Sequence, residues 1–204
     1  MTIYLVRHGE TPLNAARVMQ PPDTPLSERG SAQALAVAER LRSVPLAGIL
    51  SSDLRRAYDT ARPIAEARGL TIQPTALLHE RNFGDLRGKS YDNLGFNPFE
   101  MQDAPPGGES IPDFLARVAK AFDQAIRLRD SLKGPLAIVS HGLVIKAIMA
   151  HHARLPEGIE VPERVANTSV TVFSDRAPHE ITLLNCATHL DGKLAEDGSS
   201  LSGG

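Results

Sequence analysis

Ile3-Tyr4-Leu5-Val6-Arg7-His8-Gly9-Glu10-Thr11 lies almost at the start of the 204-residue chain, and the rest is organised around it. Ile3 to Val6 is a short unbroken apolar run, the pattern of a strand buried on both faces. It stops abruptly at a cation, an imidazole and a glycine. A strand ending in Arg-His-Gly puts a guanidinium, a titratable ring nitrogen and a closely approachable backbone at one point. That set suits a tetrahedral anion, because the guanidinium offers paired donors and glycine lets N–H groups come near. Taken alone, the stretch fits equally well a strand followed by an ordinary polar loop.

Working outward, Ala47-Gly48-Ile49-Leu50-Ser51 and Leu136-Ala137-Ile138-Val139 repeat the buried-strand pattern. Between such runs lie helical stretches. Thr11-Pro12 opens a short one to about Val18, and Ser27 caps another running to about Arg42. Ser52 or Asp53 caps a third, with Leu54, Ala57, Tyr58, Ala61, Ile64 and Ala65 on one face and Gly69 closing it. Thr71 to Leu78 reads as a strand, and Pro74 assigns it to an edge. Ser110-Ile111-Pro112-Asp113 starts a helix whose stripe is Ile111, Leu115, Val118, Phe122, Ala125 and Ile126. A helix from Leu143 to about Ala153 and strands over Ser169–Phe173 and Glu180–Leu184 complete the order.

This alternation predicts an α/β fold: a three-layer sandwich whose mainly parallel central sheet is flanked by helices. Residues 79–110 keep no periodicity and read as a small lid or insertion. Residues 1–190 read as a single domain, and 191–204 as a flexible tail of small polar residues. A net charge of −2 gives no general attraction to nucleic acid or membrane, so any anion needs a local cluster. Cys186 is the only cysteine, which excludes an internal disulfide. No apolar run approaches the ~20 residues of a membrane span, and a cytoplasmic protein is the expectation.

In a parallel sheet, ligands bind outside the carboxyl ends of the strands. Three strand-to-helix junctions carry unusual residues: Arg7-His8-Gly9, Ser52 to Arg56, and Ser140-His141-Gly142. Parallel strands would place all three on one edge, where two arginines and two histidines converge on an anion. The chain here resembles the histidine phosphatase superfamily, the phosphoglycerate-mutase-like proteins. The resemblance is carried by Leu5-Val6-Arg7-His8-Gly9-Glu10-Thr11, Asp23-x-Pro25-Leu26-Ser27-x-x-Gly30, Ser51-Ser52-Asp53-Leu54-x-Arg56-Ala57-x-x-Thr60-Ala61, Glu80-Arg81-x-Phe83-Gly84 and Val139-Ser140-His141-Gly142.

The resemblance implies a role for each position. His8 is the nucleophile, neutral and with one ring nitrogen free, while the other donates to a backbone oxygen. Arg7 and Arg56 clamp the phosphoryl oxygens, and Arg55 is left as a surface residue. His141 donates to the same oxygens, with Asn14 and Gly142 as further substrate contacts. Glu80 is the general acid that protonates the leaving alcohol and then deprotonates water. Glu10 is a supporting residue. No metal or other cofactor is implied. The histidine pair His151-His152 reads instead as favourable charge at a helix C-terminus.

The same site can hydrolyse a phosphate or move it between hydroxyls. Family mutases carry a longer insertion with arginines for the substrate carboxylate, whereas Ser90 to Leu115 holds no arginine or lysine here. The expectation is therefore a phosphatase of small phosphorylated metabolites, with phosphoglycerate mutase-type transfer as the alternative. A phospho-ligand binding protein without catalysis fits less well, since both His8 and Glu80 are present. Two departures concern the leaving group. Met19-Gln20-Pro21-Pro22 lacks a glycine-aromatic pattern common among relatives, and Phe83 stands where the mutases have tyrosine.

Overall fold

The computed structural model describes residues 2–195 and Leu201. Its strands are β1 (Thr2–Arg7), β2 (Gly48–Ser52), β3 (Ile72–Thr75), β4 (Leu136–Ser140), β5 (Val170–Ser174) and β6 (Ile181–Cys186). They form one sheet in the order β3-β2-β4-β1-β5-β6. The first four of that order run parallel, and β5 and β6 are antiparallel additions beside β1. The helices are α1 (Pro12–Ala15), α2 (Glu28–Leu41), α3 (Arg55–Arg68), α4 (Ile111–Ser131) and α5 (Gly142–His151). This is the three-layer α/β arrangement that the alternation predicts.

Successive strand residues serve opposite faces. Val6, Ile49, Ala137 and Val139 belong to a core with Val37, Leu41, Ala57, Ala61 and Ile64 of α2 and α3. Leu5, Leu50, Leu136 and Ile138 belong to a second core with Phe114, Val118, Phe122, Val144 and Ile148 of α4 and α5. Covering both faces is why the central strands must be apolar at every position. Each fully buried leucine or isoleucine contributes about 1.5–3 kcal/mol. Pro74 sits in β3 at the sheet edge, as its missing N–H requires.

The structure departs from the sequence reading in several places. The strand expected over Thr71 to Leu78 ends at Thr75, where Ala76–Leu78 turn into a 3-10 helix, and Tyr58 is exposed instead of sharing the buried face of α3. α1 stops at Ala15, because Arg17 adopts φ +54 and Val18 turns away to bridge Ser90. Neither Ser52 nor Asp53 caps α3; Leu54 holds that position without a side-chain bond, and the Ser52 hydroxyl accepts the Leu54 N–H at 3.3 Å. On α4 the buried face is centred on Phe114, Val118, Ala121, Phe122 and Ala125, leaving Ile111 and Leu115 half-covered. Of the expected tail, 196–200 and 202–204 lie outside the described residues. Asp191 to Ala195 turn back on themselves, and Gln33 Nε2 donates to the Leu194 carbonyl at 2.9 Å. Among the described residues no helix is long and apolar enough to cross a membrane.

The segment 79–110, expected to form a lid, is braced internally. Arg81, 2% exposed, donates to the carbonyls of Glu109, Met101, Pro98 and Asp103. Its outer edge is tied to the loop after α1 by Met19 N–H to Lys89, Gly88 N–H to Met19 and Tyr91 N–H to Arg17.

One contact fixes the loop that follows β1. Ser27 caps α2 by accepting the Gly30 N–H at 2.9 Å, and donates its hydroxyl to Glu10 Oε1 at 2.8 Å. The Ser27 N–H also donates to the Glu10 carbonyl at 2.9 Å. The two backbones touch so closely that a Cβ on Gly30 would lie 1.9 Å from the Glu10 carbonyl oxygen. Only glycine fits there, so Gly30→Ala must push Glu10, and with it His8, out of place. We expect G30A to lose at least the ~1–3 kcal/mol of an overpacked core and to lose activity with it, measured by urea unfolding and phosphatase assay. Unchanged stability and activity would show that the loop does not depend on this contact.

Candidate active site

β2, β4 and β1 are adjacent and parallel, so their carboxyl ends deliver the three junctions to one edge. Arg7 lies opposite Ser140 in the β1–β4 register, and the His8 N–H donates to the Ser140 carbonyl at 2.9 Å. The His8 and His141 rings approach to 5.1 Å between centroids. Arg56 enters from the first turn of α3. Arg7, His8 and Arg56 are each 1% exposed and His141 is 0%. Charged side chains this deeply covered need a reason beyond solubility.

His8 is held as one tautomer. Its Nδ1 lies 2.7 Å from the Gly9 carbonyl oxygen. A carbonyl only accepts, so the proton is on Nδ1 and the lone pair on Nε2. The Gly9 N–H is taken by Thr60 Oγ1 at 2.9 Å, and Asn167 Nδ2 donates to the His8 carbonyl at 2.9 Å. The backbone carrying the His8 ring is thus fixed at His8 and Gly9. His141 Nε2 lies 2.9 Å from Ser52 Oγ, while its Nδ1 is buried without a hydrogen-bond partner among the described residues.

The electrostatics keep both rings neutral. Burial, then the charges of Arg56 and Arg7, hold His8 well below its usual pKa. His141 is depressed in the same direction by burial, then by Arg56, His8, His79 and Arg7. Burial also lowers Arg56, to about 10, against the opposing pull of Glu80. At neutral pH the guanidinium therefore stays charged and the imidazoles do not.

Asn14 accepts the Thr11 N–H and completes the cap of α1, yet its Nδ2 is aimed elsewhere. Arg7 Nη2 and Asn14 Nδ2 both donate, at 3.0 Å each, to the carbonyl oxygen of Leu201. Leu201 is 4% exposed, and its side chain packs with Met19, Phe83 and Leu86. A main-chain oxygen thus sits where an anionic oxygen would find the same donors. Arg7 Nη1 donates to Val165 O at 2.5 Å, and Arg56 Nη1 to Pro21 O at 3.3 Å, while Arg56 Nε has no partner among the described residues.

Glu80 is brought to the same edge. Its Oε1 accepts the Arg81 N–H and its Oε2 the Leu143 N–H, both at 3.1 Å. Leu143 follows His141 and Gly142 at the start of α5, so the carboxylate is tethered beside the second histidine. Glu10 is buried but is bound by Ser27 and Arg29. Arg55 is a surface residue, its side chain 61% exposed and 3.6 Å from Asp59. His152 is no simple helix-end charge: it stacks on Phe122 at 4.9 Å, and burial lowers its pKa. Among the described residues no cluster of three His, Cys, Asp or Glu side chains is arranged to hold a metal ion.

Beside the site, a cavity of about 470 Å³ is lined by Arg17, Tyr91, Phe99, Leu143, Lys146, Arg164 and Leu201. Sequence reading missed these walls, and also Thr60, Asn167 and Leu201 as site neighbours. Thr60 carried a signal, since it belongs to the Ser51–Ala61 block; Asn167 and Leu201 sit in stretches with no pattern.

Residues 3–186 match the histidine phosphatase superfamily (branch 1), and the chain belongs to that family of enzymes. A probable phosphoglycerate mutase GpmB from Yersinia pestis is 38% identical over 183 residues, covering 84% of this chain and 83% of that protein. Among solved structures, Bacillus stearothermophilus YhfR superposes with a TM-score of 0.79 at 30% identity, covering 93% of this chain and 99% of that one. A mycobacterial glucosyl-3-phosphoglycerate phosphatase with bound VO3 gives 0.72 at 33% identity, with 85% and 90% covered.

Two measurements test this geometry. Because His8 and His141 have folded pKa values below their unfolded 6.5, the unfolded chain binds more protons as pH falls. Stability is therefore full above about pH 6.5 and declines below it, by up to about 1.4 kcal/mol per pH unit for each ring. His8→Gln should flatten that slope in urea melts; an unchanged slope would mean that His8 protonates freely when folded. Separately, a phosphomonoester using Arg7 Nη2 and Asn14 Nδ2 must displace the Leu201 carbonyl. Deleting residues 196–204 should lower KM for p-nitrophenyl phosphate a few-fold by removing that competitor. A raised KM would make Leu201 part of the substrate's wall instead.

Proposed function

We propose that the chain hydrolyses small phosphomonoesters through a phosphohistidine on His8. The observation that carries this is the His8 tautomer: Nδ1–H is committed to Gly9 O, leaving a neutral Nε2 beside two buried guanidiniums. Arg7, Arg56, Asn14 and the His141 ring bind the phosphoryl oxygens, where they offset charge that grows as the group transfers. His8 Nε2 forms the new bond to phosphorus while the bond to the alcohol oxygen breaks in line. Glu80 gives its proton to that oxygen. In the second half, Glu80 takes a proton from water, whose oxygen displaces His8 and releases inorganic phosphate.

The leaving group fits the cavity walled by Tyr91, Phe99 and Leu143, with Lys146 and Arg164 at its side. Phosphatase neighbours support hydrolysis; besides the mycobacterial protein, a putative alpha-ribazole-5'-P phosphatase from Escherichia coli gives a TM-score of 0.77 at 26% identity. Those two names describe different alcohols, so the neighbours support the bond cleaved more than the alcohol released. Mutase-type transfer is the second reading, favoured by the GpmB relative. The cavity wall is mixed in charge, with Glu100 and Glu163 beside Arg17, Lys146 and Arg164, and does not single out a substrate carboxylate. No partner other than the substrate enters this reading, and the chemistry calls on no cofactor.

We expect turnover of p-nitrophenyl phosphate that His8→Ala lowers at least about a thousandfold. Arg56→Lys should cost nearly as much as Arg56→Ala, because a lysine cannot present two parallel donors. Interconversion of 2- and 3-phosphoglycerate should be much slower than release of phosphate from either. Interconversion faster than hydrolysis would make the enzyme a mutase. Full phosphatase activity in His8→Ala would remove the mechanism.

A further inference from the structure

Arg117, on α4, grips both ends of the lid at its base. Its Nη1 donates to the carbonyls of Leu77 and His79 at 2.9 and 2.8 Å. Its Nη2 reaches the Glu80 carbonyl at 3.4 Å and Glu109 Oε2 at 2.7 Å, and its Nε donates to Glu109 Oε1 at 2.9 Å. Glu109 closes the ring: its N–H donates to the Asn82 carbonyl at 2.8 Å, and its Oε2 accepts the Asn82 N–H at 3.3 Å. A planar five-donor fork is thus bonded to the backbone on either side of Glu80 and, two-pronged, to the carboxylate that holds the residue after next. The pair is mostly covered, with side chains 19% and 15% exposed, so water competes with it less than with a surface pair.

Glu80 reaches His141's helix through its side chain, which accepts the Leu143 N–H. Its backbone has no helix or strand to set it, since it lies between the 3-10 turns Ala76–Leu78 and Gly84–Leu86. We infer that Arg117, locked by Glu109, is a positioning residue that sets the backbone from which Glu80 delivers its proton. The inference rests on the reading of Glu80 as general acid given above. The bonds of Arg117 run to Leu77, His79, Glu80 and Glu109. None of these is among the phosphate contacts proposed above, so the effect of Arg117 on the reaction passes through Glu80.

A general acid matters in proportion to how badly the leaving group needs a proton. p-Nitrophenolate departs unprotonated, whereas a benzyl alkoxide does not. For a two-step phosphatase, kcat/KM covers only transfer to His8, so it is blind to the later role of Glu80 as base. The ratio of kcat/KM for benzyl phosphate to that for p-nitrophenyl phosphate therefore reads how well the acid is placed. A 1 Å displacement can cost about a hundredfold. We expect Arg117→Met to lower this ratio about tenfold or more, in the direction set by Glu80→Gln. Arg117→Lys should recover part of it and Glu109→Gln should lower it less, and these two carry the test where Arg117→Met does not fold.

A ratio unchanged in the Arg117 and Glu109 variants, while Glu80→Gln lowers it, would overturn the positioning role and leave Arg117 a brace of the lid. A ratio unchanged in Glu80→Gln as well would overturn the acid assignment itself, and the positioning role with it.

Discussion

Two guanidiniums and two imidazoles share one buried pocket, and only one charge assignment lets them coexist there. Burial alone disfavours a charged ring, and the neighbouring arginines add repulsion to it, so His8 and His141 stay neutral while Arg7 and Arg56 keep their charge. In the proposed mechanism that neutrality leaves His8 Nε2 free to attack phosphorus, while the cations suit the pocket to a dianion. The same feature is a liability to folding, because desolvated like charges are held together. Carbonyl oxygens of Val165, Leu201 and Pro21 offset part of it by accepting from the two arginines.

The rest of the molecule serves to hold that pocket in register. Parallel strands bring three chain segments to one edge, and both faces of the sheet are covered so that the strand ends do not move. The first turn of α2 locks the loop after His8 by backbone contact at Gly30. The Ser140 carbonyl and Asn167 fix the backbone of His8 itself, and Thr60 fixes Gly9 after it. Glu80, unlike His8 and His141, adjoins neither a strand nor an α-helix, and its support comes from Arg117 of α4 and Glu109.

What could be read in the sequence was what depends on local pattern. Strands buried on both faces must be continuous apolar runs, so β1, β2 and β4 announced themselves, and Pro74 marked the edge. Arg56 was separable from Arg55 only by its place before Ala57, not by any helical stripe, and the structure puts one inside and the other in solvent. The start of α3 departs from the pattern because Ser52 accepts the Leu54 N–H from the strand end instead of capping the helix. Contacts that join distant segments left no trace in pattern: Asn167 on His8, Leu201 on Arg7, and Arg117 on the turn around Glu80 lie far apart in the chain.

The central claim is that phosphorus passes through an imidazole and not directly to water. Each in-line displacement inverts the configuration at phosphorus, so the most direct measurement is the stereochemical course of hydrolysis of an isotopically chiral thiophosphate ester in labelled water. Two displacements, through His8 and then water, predict net retention. Net inversion would mean a single attack by water, and the buried histidine would then be a bystander to the chemistry.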